Sequence, residues 1–468
     1  MNIYPPQGLT RPLQVTAIAL LSMTAVAEQT QSSDQTILTL QQAVNRTLQN
    51  NPQLAAYPFY LRQADADKLQ ADIRPTPRVG LSADNILGSG NKSGLDEAEI
   101  TLSFSQTIEL GGKRQSRYDY ASGKQQQLQL EYDISRLDTL AETSRRYYQL
   151  LALQAKGDLL AQRIQRERQA LKVIKQRARA GAVAQADVAN MALQLANSEA
   201  QQHHNERDQQ QARLSLSQMW LAKADFAAAA GSLVQPPALP NQTELKASID
   251  NGINSLQKDD GLPDFRYQLA MQRLADNQLQ LAQANGRSDV TVNAGIRQLE
   301  ATGDQAFTLG FSMPLAFENP NRGRIARAQI EQQLSQQQTD IKRQQLALAL
   351  EGIQQQLTAN LEHVEHIEMQ QMPLARQLLK SSQTAYTQGR YSVLQWIDAQ
   401  QQFFRLQLRL VDTRLAVFNQ ILELERVLGR PVVSPTVQSD TANFPEATGA
   451  SETTSVTEKT NAPAKNKI

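Results

Sequence analysis

Val290-Thr291-Val292-Asn293-Ala294-Gly295-Ile296-Arg297 alternates between apolar and other side chains without a break. Three more segments share the pattern. Phe307, Leu309, Phe311 and Met313 alternate with Thr308, Gly310 and Ser312; Ile100, Leu102 and Phe104 alternate with Thr101, Ser103 and Ser105; Val79, Leu81 and Ala83 alternate with Gly80, Ser82 and Asp84. A period of two with one apolar and one polar face describes a strand lying between two different solvents. The edge of a soluble sandwich is the plainer reading, but four strands parted by long helices cannot form a sheet with two buried faces. Segments of roughly ten residues, apolar outside and polar inside, suit a membrane-spanning barrel. The smallest such barrels need about eight strands. A chain with four must therefore oligomerise to satisfy its strand edges.

Working outward, the sequence reads as helices of unusual length. From Lys113 to Ala178 there is no Pro, and Gly occurs only at Gly123 and Gly157. At about 1.5 Å per residue that stretch extends on the order of 100 Å. Within it Leu150, Leu153, Gly157, Leu160, Ile164, Leu171, Ile174 and Ala178 follow spacings of three and four, with Glu167 at the one polar step. This heptad seam predicts coiled-coil packing. The chain turns at Ala180-Gly181 and resumes a helix to about Leu221, and a linker with Pro236, Pro237 and Pro240 follows. Further on, a helix from about Arg322 to Tyr386, kinked at Pro373, turns at Gln388-Gly389-Arg390. The last helix, with Ser392 and Gln395 at capping-box spacing, ends before Gly429 and Pro431. The two turn glycines lie about 210 residues apart, which points to an internal duplication.

Composition removes most chemistry. Lys and Arg number 47 against 46 Asp and Glu, so no basic surplus suits nucleic acid. There is no Cys and only four His, which excludes disulfides, thiolate metal sites and cysteine catalysis. No phosphate loop, nucleophile elbow or His-Glu-x-x-His occurs, so neither enzyme activity nor a cofactor is expected. His363 and His366 share a helix face beside Glu365 and Glu368, but a metal there would need a third ligand from elsewhere. Arg11 precedes an apolar run from Leu13 that ends in Ala25-Val26-Ala27, the pattern of a cleaved signal peptide over 1–27. No later run of 18 apolar residues offers a helical anchor. The last residues, 431–468, rich in Ser, Thr, Ala and Glu, are expected to be disordered.

The stretch Phe104-Ser105-Gln106-Thr107-Ile108-Glu109-Leu110-Gly111-Gly112-Lys113-Arg114 resembles the strand-to-helix junction of TolC-type outer-membrane efflux proteins. Phe311-Ser312-Met313-Pro314-Leu315 followed by Asn319-Pro320-Asn321-Arg322-Gly323 is similar to its second-repeat counterpart. The likeness spans about residues 36 to 430, and the junction looks most like the cobalt–zinc–cadmium (CzcC-like) branch. The resemblance implies a mainly α fold with a small β part. Long coiled-coil hairpins would form a periplasmic tunnel, and four strands per chain would build the twelve-stranded outer-membrane barrel of a homotrimer. It divides the chain into a first repeat (28–222), a linker (223–260) and a second repeat (261–430). It also implies a passive channel of a resistance–nodulation–division system, partnered by a periplasmic adaptor, an inner-membrane pump and outer-membrane lipid, with heavy-metal cations as the expected cargo and drugs or secreted protein as the alternative. A non-channel envelope coiled coil is the remaining alternative. Relatives often carry a lipid on an N-terminal Cys; this chain has none, so the barrel alone would anchor it.

The family's constrictions and docking sites lie at the hairpin turns. The resemblance places adaptor-docking tips at Ala180-Gly181-Ala182 and Gln388-Gly389-Arg390, with Asp187 and Tyr386 in the positions of gating residues. Asp398 falls where an inner acidic ring stands, and Gln395 where some members carry a second. Tyr391 replaces a basic tip residue. On their own terms, Asp187 also reads as a first-turn dipole partner and Asp398 as a solvated helix residue. Three Asp398 carboxylates about a threefold axis would attract cations.

Overall fold

The computed structural model describes residues 36–234, 241–256, 258, 261–315 and 317–432. The signal-like segment, the prolines of the linker and all but the start of the expected tail lie outside the described residues. In chain order the elements are β1 (Thr36–Leu38), α1 (Leu40–Asn50), α2 (Pro52–Ala71), β2 (Arg78–Asp84), β3 (Glu99–Ile108), α3 (Lys113–Arg179), α4 (Gln185–Ser217), β4 (Phe226–Ala229), α5 (Gln242–Ser255), α6 (Pro263–Ala284), β5 (Val290–Leu299), β6 (Gln305–Ser312), α7 (Arg322–His366), α8 (Met372–Thr387) and α9 (Val393–Leu428).

The four alternating segments form one antiparallel sheet in the order β2-β3-β5-β6. Its register aligns Leu81, Leu102, Ile296 and Phe307 across one face, and Val79, Phe104, Ala294 and Leu309 in the next row. That apolar face is open: Phe307 is 89% exposed, Leu309 82% and Phe311 81%. The opposite face carries Ser103, Thr101, Arg297 and Asn293, with Arg297 bonded to Glu99 at 2.8 Å and to the Thr101 hydroxyl at 3.1 Å. Gly80, Gly295 and Gly310 also lie on this polar face. A Cβ at Gly295 would approach the Leu102 carbonyl to 2.6 Å, and one at Gly310 the Asn293 Oδ1 to 2.7 Å. Small residues thus let the strands crowd on the polar side, the sense of curvature that a polar-lined barrel needs. The edges are β2 and β6 among the described strands.

Below the sheet α2, α3, α6 and α7 stand side by side in the order of the strands they join. The crossing from β3 to α3 is made by Gly111 and Gly112, both left-handed at φ 75° and 72°. Lys113 and the Leu110 amide then converge on Asp289 at 2.7 and 3.1 Å. Arg117 ties three segments together. It is bidentate to Glu109 and donates to the carbonyls of Ala71 and Ile73. With no internal breaker, α3 runs 67 residues. Its seam is buried at Leu150, Leu160, Ile164 and Ile174, as the heptad spacing predicts. The polar step at Glu167 is buried too, only 1% exposed. Arg163 and Gln194 donate to its Oε1, while its Oε2 has no partner.

Two differences from the sequence reading have physical causes. The linker contains a strand and a helix: β4 pairs in parallel with β1, and α5 packs Leu245 and Ile249 into a core with Leu350 and Leu428. Tyr147 holds that small sheet, its hydroxyl 2.6 Å from the Ala230 carbonyl and 3.1 Å from that of Leu38. Burial pushes its pKa up, and pushes that of neighbouring Tyr148 up to about 12. The helix through Pro373 is interrupted before the proline, by a π-helical stretch over Ile367–Gln371. Proline has no N–H to close the α ladder, and the extra residue absorbs the mismatch. Arg414, buried on α9, braces this break by donating to Glu368 and to the carbonyls of Leu233 and Val234. No described helix is long and apolar enough to cross a membrane.

Candidate functional site at the helical tips

Both hairpins end in the same backbone motif. At the first, the Gly181 amide donates to Ala178 O at 3.0 Å and the Ala182 amide to Arg177 O at 2.9 Å. At the second, Gly389 donates to Tyr386 O at 3.0 Å and Arg390 to Ala385 O at 2.8 Å. These are Schellman turns, and each glycine is left-handed at φ 71° and 72°. A side chain there meets open space but also a backbone conformation that L residues resist. Ala180, Gly181, Ala182, Gln388, Gly389 and Arg390 are all exposed. The Ser392–Gln395 capping box then restarts the chain as α9.

Behind the turns lies a small core of Ala170, Ile174, Val188, Met191, Tyr386, Val393, Trp396 and Ile397. Tyr386 belongs to this core and is 2% exposed. Its ring stacks on Trp396 at 4.9 Å and 16°. Its hydroxyl and the Trp396 Nε1 are buried with no hydrogen-bond partner. Tyr386 is therefore not bonded to Asp187, and within this chain its ring supports the tip from inside. Asp187 is half-exposed in the first turn of α4, whose N-cap, Ala184, offers no side-chain bond. Its carboxylate faces the positive end of that helix's dipole.

Asp398 is exposed on α9 and accepts a hydrogen bond from Gln402 at 2.7 Å. Gln395, also exposed, uses its Oε1 to cap the Ser392 amide at 2.9 Å. The two sit less than one turn apart, so any ring built here has one charged layer per chain. His363 and His366 are exposed at the end of α7, and Glu368 is committed to Arg414. No group of three or more potential ligands gathers among the described residues.

Sequence reasoning passed over Arg177. Its guanidinium donates to the carbonyls of Tyr386 at 3.0 Å and Thr387 at 2.9 Å, and lies 4.8 Å from the centre of the Tyr386 ring. A cation in the last turn of α3 is visible in the sequence, but nothing local marks its reach to a carbonyl 209 residues away.

Several known proteins share this architecture. Residues 43–220 match the family described as outer membrane efflux protein. The cobalt-zinc-cadmium resistance protein CzcC of Cupriavidus metallidurans is 23% identical over 395 residues, covering 84% of this chain and 90% of that protein. Among solved structures, the outer membrane protein VceC of Vibrio cholerae superposes with a TM-score of 0.68 at 19% identity, over 84% of this chain and 97% of that one. CusC gives 0.66 at 16% identity, over 84% and 92%. The open state of the Neisseria gonorrhoeae MtrE outer membrane channel gives 0.63 at 14%, over 84% and 89%. The chain has the fold of these channels, and its relatives are channel proteins rather than enzymes. The likeness to the outer membrane efflux protein family thus rests on residues 43–220, on a curated relative of 23% identity and on a shared architecture.

Proposed function

We propose that the chain forms a homotrimeric outer-membrane conduit, with four strands from each copy closing a twelve-stranded barrel above a periplasmic helical tunnel. One observation carries the reading. The four-stranded sheet has an exposed apolar face, a polar face lined by Arg297, Glu99 and glycines, and an edge at each side. Such a sheet suits lipid on one side and water on the other, and its edges call for β6 of one copy to meet β2 of the next. The helices below agree. Their layer ends at α2 and α7, and the outward side of α7 carries exposed Ile330, Leu334, Ile341 and Leu348, an apolar stripe suited to the neighbouring copy's α2. The strand–strand–long helix–turn–helix order occurs twice, in keeping with a duplicated chain whose two repeats flank a linker.

As a conduit it would dock a periplasmic adaptor at the Gly181 and Gly389 turns and receive cargo from an inner-membrane pump of the resistance–nodulation–division type. Asp187, Tyr386, Gln395 and Asp398 are the proposed constriction, Asp398 as a cation-attracting ring and Tyr386 as the ring behind it. The similarity to CzcC favours heavy-metal cations as cargo. Deleting the gene should sensitise cells to cobalt, zinc or cadmium, and the intact chain should restore growth. The protein should be recovered from the outer-membrane fraction as heat-modifiable trimers beginning near Glu28. A soluble monomer with Met1 intact would overturn the conduit, and unchanged metal tolerance would overturn the cargo.

A further inference from the structure

The two turns of one chain share a residue. The backbone carbonyl of Arg177 accepts the Ala182 amide and so closes the first turn. Its guanidinium caps Tyr386 and Thr387, the carbonyls at the end of α8, and lies over the Tyr386 ring. Tyr386 O also accepts the Gly389 amide that closes the second turn. Beyond Tyr386 the contact passes by stacking to Trp396 on α9.

We propose that Arg177 is a positioning residue that couples the two hairpin tips, so that distortion of one turn is transmitted to the other. This rests on reading the tips as docking sites, but the coupling itself is a property of the chain. Anything that displaces the Ala182–Arg177 closure tilts the last turn of α3 and moves the origin of the guanidinium. A guanidinium is a planar fork whose two Nη atoms serve two successive carbonyls, so a small tilt disengages both. Its charge faces the negative end of α8, and that favourable field is lost with the bonds. Two features make α8 responsive. Above it, the π-helical stretch over Ile367–Gln371 interrupts the regular ladder. Inside the tip, Tyr386 and Trp396 have no hydrogen bonds from hydroxyl or indole to fix them, so the stacked pair is held by packing and by the Arg177 guanidinium over the Tyr386 ring.

The test is amide hydrogen exchange on the purified full-length protein in detergent, with no adaptor or cargo present. Gly181→Val perturbs the first turn; the readout is exchange of the Gly389 and Arg390 amides in the second. The expected result is exchange faster by about tenfold in Gly181→Val. Arg177→Gln should give a similar rise, and Gly181→Val should add little in that background. Arg177→Lys, which keeps the charge but not the fork, should fall between. Peptides around Leu350, far above the tips, report whether each variant remains folded. Unchanged exchange at Gly389 and Arg390 in folded Arg177→Gln, or an equal Gly181→Val effect in both backgrounds, would overturn the coupling. Neither result depends on assembly or conduction, so a failed conduit and a failed coupling give different outcomes.

Discussion

Arg117 offers the sharpest energetic prediction, because one side chain fastens the strands to the helices. Its guanidinium holds both oxygens of Glu109, just after β3, and it reaches the Ile73 and Ala71 carbonyls at the end of α2 at 3.2 and 3.4 Å. Arg117→Ala leaves a carboxylate whose side chain is only 15% exposed, and two carbonyls, without this donor. A bond to a charged group is worth about 1.5–3 kcal/mol net. Because the Arg117 side chain is 30% exposed, the low end applies to the bidentate pair. The two longer carbonyl bonds add roughly 0.5 kcal/mol each. The expected cost is thus about 2–3 kcal/mol, equivalent to local opening faster by about 30- to 150-fold. Hydrogen exchange over 69–76 and 104–117 should rise by that factor. Arg117→Lys should lose about half the free energy, because an ammonium makes one contact where the fork makes several. In a cycle with Glu109→Gln the effects should fall short of additivity by about 1–2 kcal/mol. Strict additivity, or unaltered protection in Arg117→Ala, would refute the clamp.

Other consequences follow from single contacts. Gly157→Ala places a methyl 2.7 Å from Gln209 Nε2 and 2.8 Å from Asn205 Oδ1, both of which belong to a network that donates to Leu153 O. It should destabilise the α3–α4 hairpin by about 1–3 kcal/mol in chemical denaturation, despite the better helix propensity of Ala. Asp398→Ala should lower cation preference and block by multivalent cations in planar bilayers while leaving trimers intact, with the difference shrinking at high salt. Glu142 is subject to burial, which works against its charge, but hydrogen bonds from Arg146 and Arg145 outweigh it and hold the carboxyl below its usual 4.5. The stability it contributes is therefore full above that value and fades as pH falls through the lower folded pKa. Melting in a series below pH 5 should show a shallower acid loss for Glu142→Gln.

The parts of the fold that repeat locally were legible. Alternation identified β2, β3, β5 and β6, because each strand meets different surroundings on its two faces. The unbroken run from Lys113 and the seam through Leu150, Ile164 and Ile174 identified α3 and its buried side. What escaped lacks periodicity. Phe226-Ala227-Ala228-Ala229 is too short to alternate, and it becomes β4 because Gln154 and Tyr147 supply hydrogen bonds from α3. The bend near Pro373 was anticipated, but its π form depends on how Ile367 and Met372 pack together in the core. At the tips, Gly181 and Gly389 announced the turns. The inward burial of Tyr386 and the reach of Arg177 are tertiary, spanning 209 residues, and no local pattern encodes them.

The central claim is that β6 of one copy pairs with β2 of the next to close a trimeric barrel. The chain has no natural Cys, so engineered pairs report without interference. With Leu309→Cys fixed, cysteines placed singly along Arg78–Asp84 should form intermolecular disulfides in outer-membrane preparations. Linking should peak at alternate positions on the apolar face, Val79, Leu81 or Ala83, and give a covalent trimer on non-reducing gels. Absence of cross-linking at every position, or dimers with no dependence on strand parity, would contradict the barrel.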